Sequence, residues 1–302
     1  MDFRELNKFI KTMGKEYNIP AYSISVYYNH RNVYYGKKGN ATFLDKIKGL
    51  GKNLYFMHSG AKLICCVALM KLIQSYKLTL NDNVKDYIDF DCDIKIRDFI
   101  QKFSTTEDFE DERFNFKNIT LIIEKLSKKN FNDYVYEIIF KPLKMKNTSF
   151  ILNDKNKKHI ALQYLYDGNK KSFISSDKDI EEIYNKNNGC LITTVADYSI
   201  FCDALCAGGK AYNGYQLLSE ESTNLLINEL MNNETEKNDA YVCVGYNGGL
   251  ILIDIKKRIT IVYAQHVHNL TVQQLEMYPK LRKIVYEGIG VDTWSKGYNL
   301  FP

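Results

Sequence analysis

Hydrophobic positions along the chain change period several times, and each change marks an element. Over residues 2–17 apolar side chains fall at 3, 6, 9, 10 and 13, the spacing of an amphipathic helix. Beyond Pro20, residues 21–28 alternate and are rich in β-branched and aromatic types. Asn29-His30-Arg31-Asn32 then makes a polar turn before 33–36. Together these predict a β-hairpin with His30 exposed in its turn. Residues 54–76, LYFMHSGAKLICCVALMKLIQSY, form the most apolar run. Apolar residues at 63, 64, 67, 68, 70 and 72 predict a helix buried on most sides, with Ser59 placed to cap its first free N–H groups.

Further along, a short helix is expected over 84–88, another over 94–103, a polar loop over 104–113, and a helical pair over 119–140 ending before Pro142. Residues 153–188 are polar and read as irregular, apart from a strand-like piece at 160–166. Thr194 is placed to cap a helix over 195–206, which Gly208-Gly209 would stop; Ser219 is placed to cap another ending near Met231. Three β-rich runs follow at 241–244, 249–255 and 258–265, with Lys256-Lys257 turning between the last two. An amphipathic helix over 270–286 closes the series. This order predicts an α+β fold. A sheet domain would be built from both chain ends, 1–52 and 186–302, with a mainly helical region, 53–185, inserted between them.

The 302 residues are 45% hydrophobic and 25% charged, which suits a globular protein with a sizeable core. The net charge of +5 is spread along the chain, with no basic stripe carrying interleaved aromatics, so a nucleic-acid partner is not expected. The seven cysteines are odd in number, include no CxxC pair and mostly sit in apolar runs, so they read as buried thiols in a reducing compartment. Cys202 and Cys206 stand four apart on the expected helix without two further ligands nearby. No metal and no other cofactor is expected. The sequence shows neither a signal-peptide pattern nor 18 successive uncharged apolar residues, and the expected compartment is the cytoplasm.

The candidate chemistry lies at Ser59 and Lys62. Three residues apart, they share one face of the first helical turn. The positive end of the helix dipole and burial both favour a neutral lysine, which could take the serine proton. Four residues alone are a weak signal: an ordinary cap followed by a snorkelling lysine has the same spacing. A second S-x-x-K, Ser175 to Lys178, has no apolar helix behind it and reads as a solvated segment.

Context sharpens the first pair. Residues 54–88, the IKIRDFI segment, 121–150, the run GCLITTVADYSIFCDALCAGGKAYNGYQLLSEEST and the strand pair GYNGGLILIDIKKRITIVYAQ occur in this order. Their succession resembles the serine β-lactamase and penicillin-binding-protein superfamily, in its class C-like branch of D,D-peptidases and esterase-like hydrolases. The resemblance implies an antiparallel sheet domain packed on a helical one, with the site in the crevice between. It implies Ser59 as nucleophile, Lys62 as general base, and an acyl-serine formed on a small ester, amide or lactam. It also implies an oxyanion site made by backbone N–H groups, here Ser59 and a residue near Gly245.

Two family motifs are altered. The Tyr-x-Asn motif falls on Phe116-Lys117-Asn118 if a helix is shortened, or on Asp111-Glu112-Arg113 without gaps; either way its tyrosine hydroxyl is missing. The edge-strand motif that carries a cation falls near Cys243-Val244-Gly245, which has none. His266 and His268 follow the last strand and are expected to decorate its end. Two functions therefore stand side by side. One is a serine hydrolase acting on a small molecule. The other is a catalytically degraded relative that binds a ligand or protein partner in the old crevice.

Overall fold

The structure, a computed structural model, describes residues 1–19, 21–39, 53–105, 111–161, 163–167, 172–175, 180–181, 184, 190–231, 240–245, 248–265, 267–268 and 276–292. Its centre is a five-stranded antiparallel sheet. The strands are β1 (Tyr22–Tyr28), β2 (Arg31–Lys38), β7 (Tyr241–Val244), β8 (Leu250–Asp254) and β9 (Ile259–Gln265), in the order β2-β1-β9-β8-β7. Early and late strands thus interleave, with β1 lying directly against β9.

One sheet face carries Ile24, Val26, Leu250, Leu252, Ile261 and Tyr263. It is covered by α1 (Arg4–Glu16) and α9 (Tyr278–Ile289), which bury Leu6, Phe9, Met13, Leu281 and Val285 against it. The opposite face presents Tyr241, Ile251, Ile253, Val262 and Ala264 to the larger core. That core is built on α2 (His58–Gln74) and α7 (Val195–Cys206). Strands β8 and β9 are buried along their whole length, which explains why their sequences are continuous apolar runs rather than alternating ones. Strand β2, an outer edge, is mostly exposed and ends in Lys37-Lys38, charges that discourage edge-to-edge pairing.

Around α2 the helical part adds α3 (Ile96–Thr105), α4 (Phe116–Ser127) and α5 (Phe131–Val135), the last running into a wide turn at Tyr136–Phe140. Phe99, Phe103, Ile122, Ile123 and Ile139 pack into the same core as α2. The short strand β3 (Tyr55–Phe56) pairs with β6 (Ile192–Thr193) and delivers the chain to α2. The remaining pieces are α6 (Asp154–Lys157), β4 (Tyr164–Asp167), β5 (Ser172–Ser175), α8 (Glu220–Asn224) and β10 (Val267–His268).

Several expectations need correction. The 153–188 region is not irregular throughout: β4 pairs antiparallel with β5 and parallel with β10, forming a small sheet. Ser175 therefore ends a strand, while Lys178 lies outside the described residues. His268 belongs to a paired strand, and His266 lies outside the described residues. The first hairpin turns on two residues, not four. Asn29 and His30 have φ of 48° and 62°, the positive pair that a tight hairpin turn requires. The expected helical caps at Thr194 and Ser219 are present, at 3.1 Å to Asp197 N–H and 3.1 Å to Ser222 N–H. α7 ends at Cys206 and the Gly208-Gly209 pair follows its cap residue; at Gly209, φ 82°, a Cβ would stand 2.2 Å from the Leu218 carbonyl oxygen, so only glycine fits.

His30 is not simply exposed. Its Nδ1 stands 3.4 Å from Oδ1 of Asp203, a carboxylate on α7 whose side chain is 5% exposed. Burial pushes the Asp203 carboxyl up to about 6, and His30 opposes the shift. The native state therefore holds a proton between pH 4 and 6 that the unfolded chain has released, and stability falls as pH rises through that window. Asp203→Asn should abolish that slope and raise stability at pH 7–8 by on the order of 1–3 kcal/mol. Thermal melts of both proteins at half-unit intervals between pH 4 and 8 check this. Parallel pH profiles for the two proteins would contradict it.

Candidate active site

The first turn of α2 is held from two sides. Met57 N–H donates to the Leu191 carbonyl at 2.8 Å, continuing the β3–β6 pairing up to the helix. From α7, the Tyr198 hydroxyl donates to the Gly60 carbonyl at 3.0 Å. Tyr198 is fully buried and packs on Gly60, where a Cβ would come 3.1 Å from the tyrosine oxygen and 3.2 Å from Met57 Cβ. Glycine between Ser59 and Lys62 is thus a packing requirement. Gly60→Ala should cost about 1–2 kcal/mol by crowding. Tyr198→Phe in the same protein should recover part of that by removing the crowded oxygen. A four-protein melting series checks the coupling, and additive losses would refute it.

Ser59 is the second residue of α2 and does not cap it. The cap position is Met57, which offers no side-chain acceptor. The first intrahelical bond runs from Ala61 N–H to the Met57 carbonyl at 2.9 Å, leaving the preceding N–H groups without a helical partner. Ser59 is half-buried, and among the described residues its hydroxyl makes no hydrogen bond. A free hydroxyl beside unspent N–H groups at the positive end of a 17-residue helix suits attack on a carbonyl carbon and stabilisation of the resulting oxyanion.

Lys62 follows on the same face, also half-buried. Its ammonium nitrogen lies 5.7 Å from the centre of the Phe103 ring on α3, within range of a cation–π contact. One turn on, Cys66 is fully buried; burial pushes its thiol up to about 12, with the charge of Lys62 acting the other way.

The second-motif residues are placed differently. Phe116 opens α4 and is half-buried in an aromatic cluster, 5.2 Å from the Phe131 ring and 5.5 Å from that of Phe150. It offers no proton to a reaction. Asn118 spends its amide on its own turn, donating from Nδ2 to the Arg113 carbonyl at 2.9 Å. The gapless alternative does no better: Asp111 and Arg113 hold each other at 2.8 Å, and that contact draws the Asp111 carboxyl down to about 2.

On the edge strand, Gly245 N–H donates to the Gly249 carbonyl at 2.9 Å and Gly248 N–H to the Gly245 carbonyl at 2.8 Å. The Gly245 N–H is therefore spent in the β7–β8 turn. Antiparallel pairing alternates the direction of successive N–H groups, and Val244, opposite Leu250, turns its own away from β8. Cys243 is half-buried on the strand face shared with Tyr241, which points into the α2 core.

Two residues of this site were not singled out by sequence reasoning. Tyr198 was legible only as part of a helix, although its place four residues beyond the Thr194 cap put it on the buried face. Phe103 was legible only as the end of α3.

A five-stranded antiparallel sheet, helices on both of its faces, and a serine opening the buried helix beside an edge strand together define the serine β-lactamase and penicillin-binding-protein superfamily. The chain belongs to the beta-lactamase family, whose model matches residues 6–250. It is 21% identical over 219 residues to a teichoic acid D-alanine hydrolase of Staphylococcus aureus, a match covering 59% of this chain and 55% of that protein. The chain thus spans about half the length of the curated relatives it matches. Its fold is similar to that of an octameric penicillin-binding protein homologue from Pyrococcus abyssi, with TM-score 0.72, 16% identity, and 97% of this chain and 78% of that one covered. It is also similar to a hydrolase with promiscuous acyltransferase activity, with TM-score 0.75, 13% identity, and 94% and 98% covered. Among the described residues, no helix is long and apolar enough to cross a membrane. No group of three or more His, Cys, Asp or Glu among them is placed to hold a metal.

Proposed function

We propose that the chain is a serine hydrolase that forms an acyl-enzyme on Ser59 from a small ester, amide or lactam without a carboxylate. The observation that carries this is the Ser59 hydroxyl, unbonded at the uncapped start of α2, with Lys62 on the same helical face. Ser59 Oγ attacks the carbonyl carbon and its proton passes to Lys62 acting as general base. The leaving group takes a proton as it departs, and water then releases the acyl group. The oxyanion is held by Ser59 N–H and by an N–H of β7. Because Gly245 N–H is already committed, that second donor is Val244 rather than Gly245. In the same reading, the sheet lobe of 1–52 and 186–302 and the helical lobe of 53–185 form the two walls of the crevice.

The motif 243–245 brings no cation to β7, so a substrate without a carboxylate fits better than a peptidase substrate. The relative named a teichoic acid D-alanine hydrolase makes esters of small amino acids the first series to try. Phe116, packed among Phe131 and Phe150, favours a second reading in which the crevice binds a ligand without reacting. Intact-mass measurement after incubation with a fluorophosphonate or a fluorescent penicillin separates the two. A single covalent adduct supports the hydrolase. No adduct across an ester and lactam panel, with thermal stabilisation by one of its members, supports the binder.

A further inference from the structure

Away from Ser59 and Lys62, a cleft of about 370 Å³ lies between the turn at 146–149 and the segment carrying α6. Leu54, Lys146, Thr148, Ser149, Lys155 and His159 are among its lining residues, and none of the described lining residues is a carboxylate. The polypeptide around it is already satisfied. Asn153 caps α6 through its Oδ1, accepting from Lys155 N–H at 3.0 Å and Asn156 N–H at 3.1 Å, and its own N–H returns to Asn156 Oδ1 at 2.9 Å. Asn156 Nδ2 donates to the Ile151 carbonyl at 2.8 Å. Leu54 N–H donates to the His159 carbonyl at 2.9 Å, fixing the far end of the segment to the strand that leads into α2. Asp197, behind the wall, is taken up by Asn147 N–H at 2.6 Å and by Thr148 Oγ1 at 3.3 Å, and Asp154 on α6 is exposed.

What remains unspent is basic. The ammonium groups of Lys146 and Lys155 make no ion pair or hydrogen bond among the described residues. Lys157, by contrast, points to an acid partner, Glu181, at 2.5 Å. The Nδ1 atom of half-buried His159 is closed to solvent and has no hydrogen-bond partner. Two ammonium groups without a partner among the described residues line one cleft, with no carboxylate among its described lining residues, and so form a site for concentrated negative charge. Lysines suit a tetrahedral dianion, because each contributes a point charge on an adjustable stem rather than a planar fork. The volume falls within the range of small-molecule sites, roughly 300–1,000 Å³, and so exceeds the needs of a bare ion.

We propose that this cleft binds a phosphate-bearing small molecule, held by Lys146 and Lys155. The site is independent of any reaction at Ser59. Isothermal titration with inorganic phosphate and with glycerol 1-phosphate, each against chloride of matched ionic strength, tests it. Saturable binding is expected, weakened at least about tenfold in Lys146→Ala/Lys155→Ala. Lys8→Ala/Lys11→Ala removes the same charge from the exposed side of α1 and should leave the affinity unchanged. Tighter binding of glycerol 1-phosphate would assign the site to an organic monoester, and equal binding to the free anion. Binding no stronger than chloride, or an equal loss in both double variants, overturns the proposal.

Discussion

Ser59→Ala should lose covalent labelling by a fluorophosphonate probe and keep its fold. Deleting the attacking atom removes the step itself, and losses in acylation of at least on the order of 10⁴-fold are expected for a nucleophile of this kind. The stability prediction is equally pointed. A serine cap replaced by alanine costs about 0.5–2 kcal/mol. Here the cap position is Met57, and the Ser59 hydroxyl bonds to nothing among the described residues. Alanine is also the best helix former. The melting temperature should therefore stay within about 2 °C of the parent. Denaturation curves and intact-mass labelling of the same two preparations decide both halves. A variant that labels as fast as the parent would remove Ser59 from the chemistry. A variant that labels normally but melts several degrees lower would restore the capping role that its sequence position first suggested.

How much of this was legible beforehand depended on whether a feature was local. The helix over Val195–Cys206 and its Thr194 cap could be read from neighbouring residues alone, as could the strand Tyr241–Val244. The family resemblance put Ser59 and Lys62 together, and one helical turn keeps them on one face. Features that depend on distant segments were hidden. Ser59 was mistaken for the cap because the real boundary is set by β3 pairing with β6, some 135 residues on, which carries regular hydrogen bonding up to Met57. The committed N–H of Gly245 follows from the register of β7 on β8, which a one-residue slip would reverse. His30 looked exposed because a hairpin turn usually is; its contact with buried Asp203 arises only when β1 packs on α7. The small sheet of β4, β5 and β10 joins residues about 100 apart, and its strands are too short for alternation to announce them.

The altered motifs narrow the chemistry in a consistent direction. Phe116 contributes packing where the family supplies a hydroxyl, and residues 243–245 bring no ammonium to β7. Both changes remove charge or proton traffic from the crevice, while the turn that presents Ser59 keeps its support from Tyr198 and Leu191. On the proposed reading, a serine unbonded among the described residues and sharing a helical face with Lys62 is kept while the relay hydroxyl is lost. An enzyme acting slowly on an activated acyl donor without a carboxylate would reconcile the two, because such a donor needs less help with its leaving group.

If that is so, Lys62 carries the whole burden of taking the serine proton, and its replacement should be the second most damaging change. Lys62→Met keeps the length and apolar stem of the side chain and deletes only the amine. Acylation by the fluorophosphonate probe should slow by about 10²–10⁴-fold, the usual worth of a positioned base. Lys62→Arg should not rescue it, because a guanidinium does not surrender its proton at neutral pH. Part of any stability change is the lost contact between the ammonium and the Phe103 ring, at 5.7 Å, worth about 0.5–1 kcal/mol at a partly exposed site. Stopped-time labelling followed by mass spectrometry measures the rate for all three proteins, and thermal melts show whether the fold is intact. Methionine and arginine variants that acylate at the parental rate would show that the proton leaves Ser59 by another route, and the pairing of these two side chains would then be architectural.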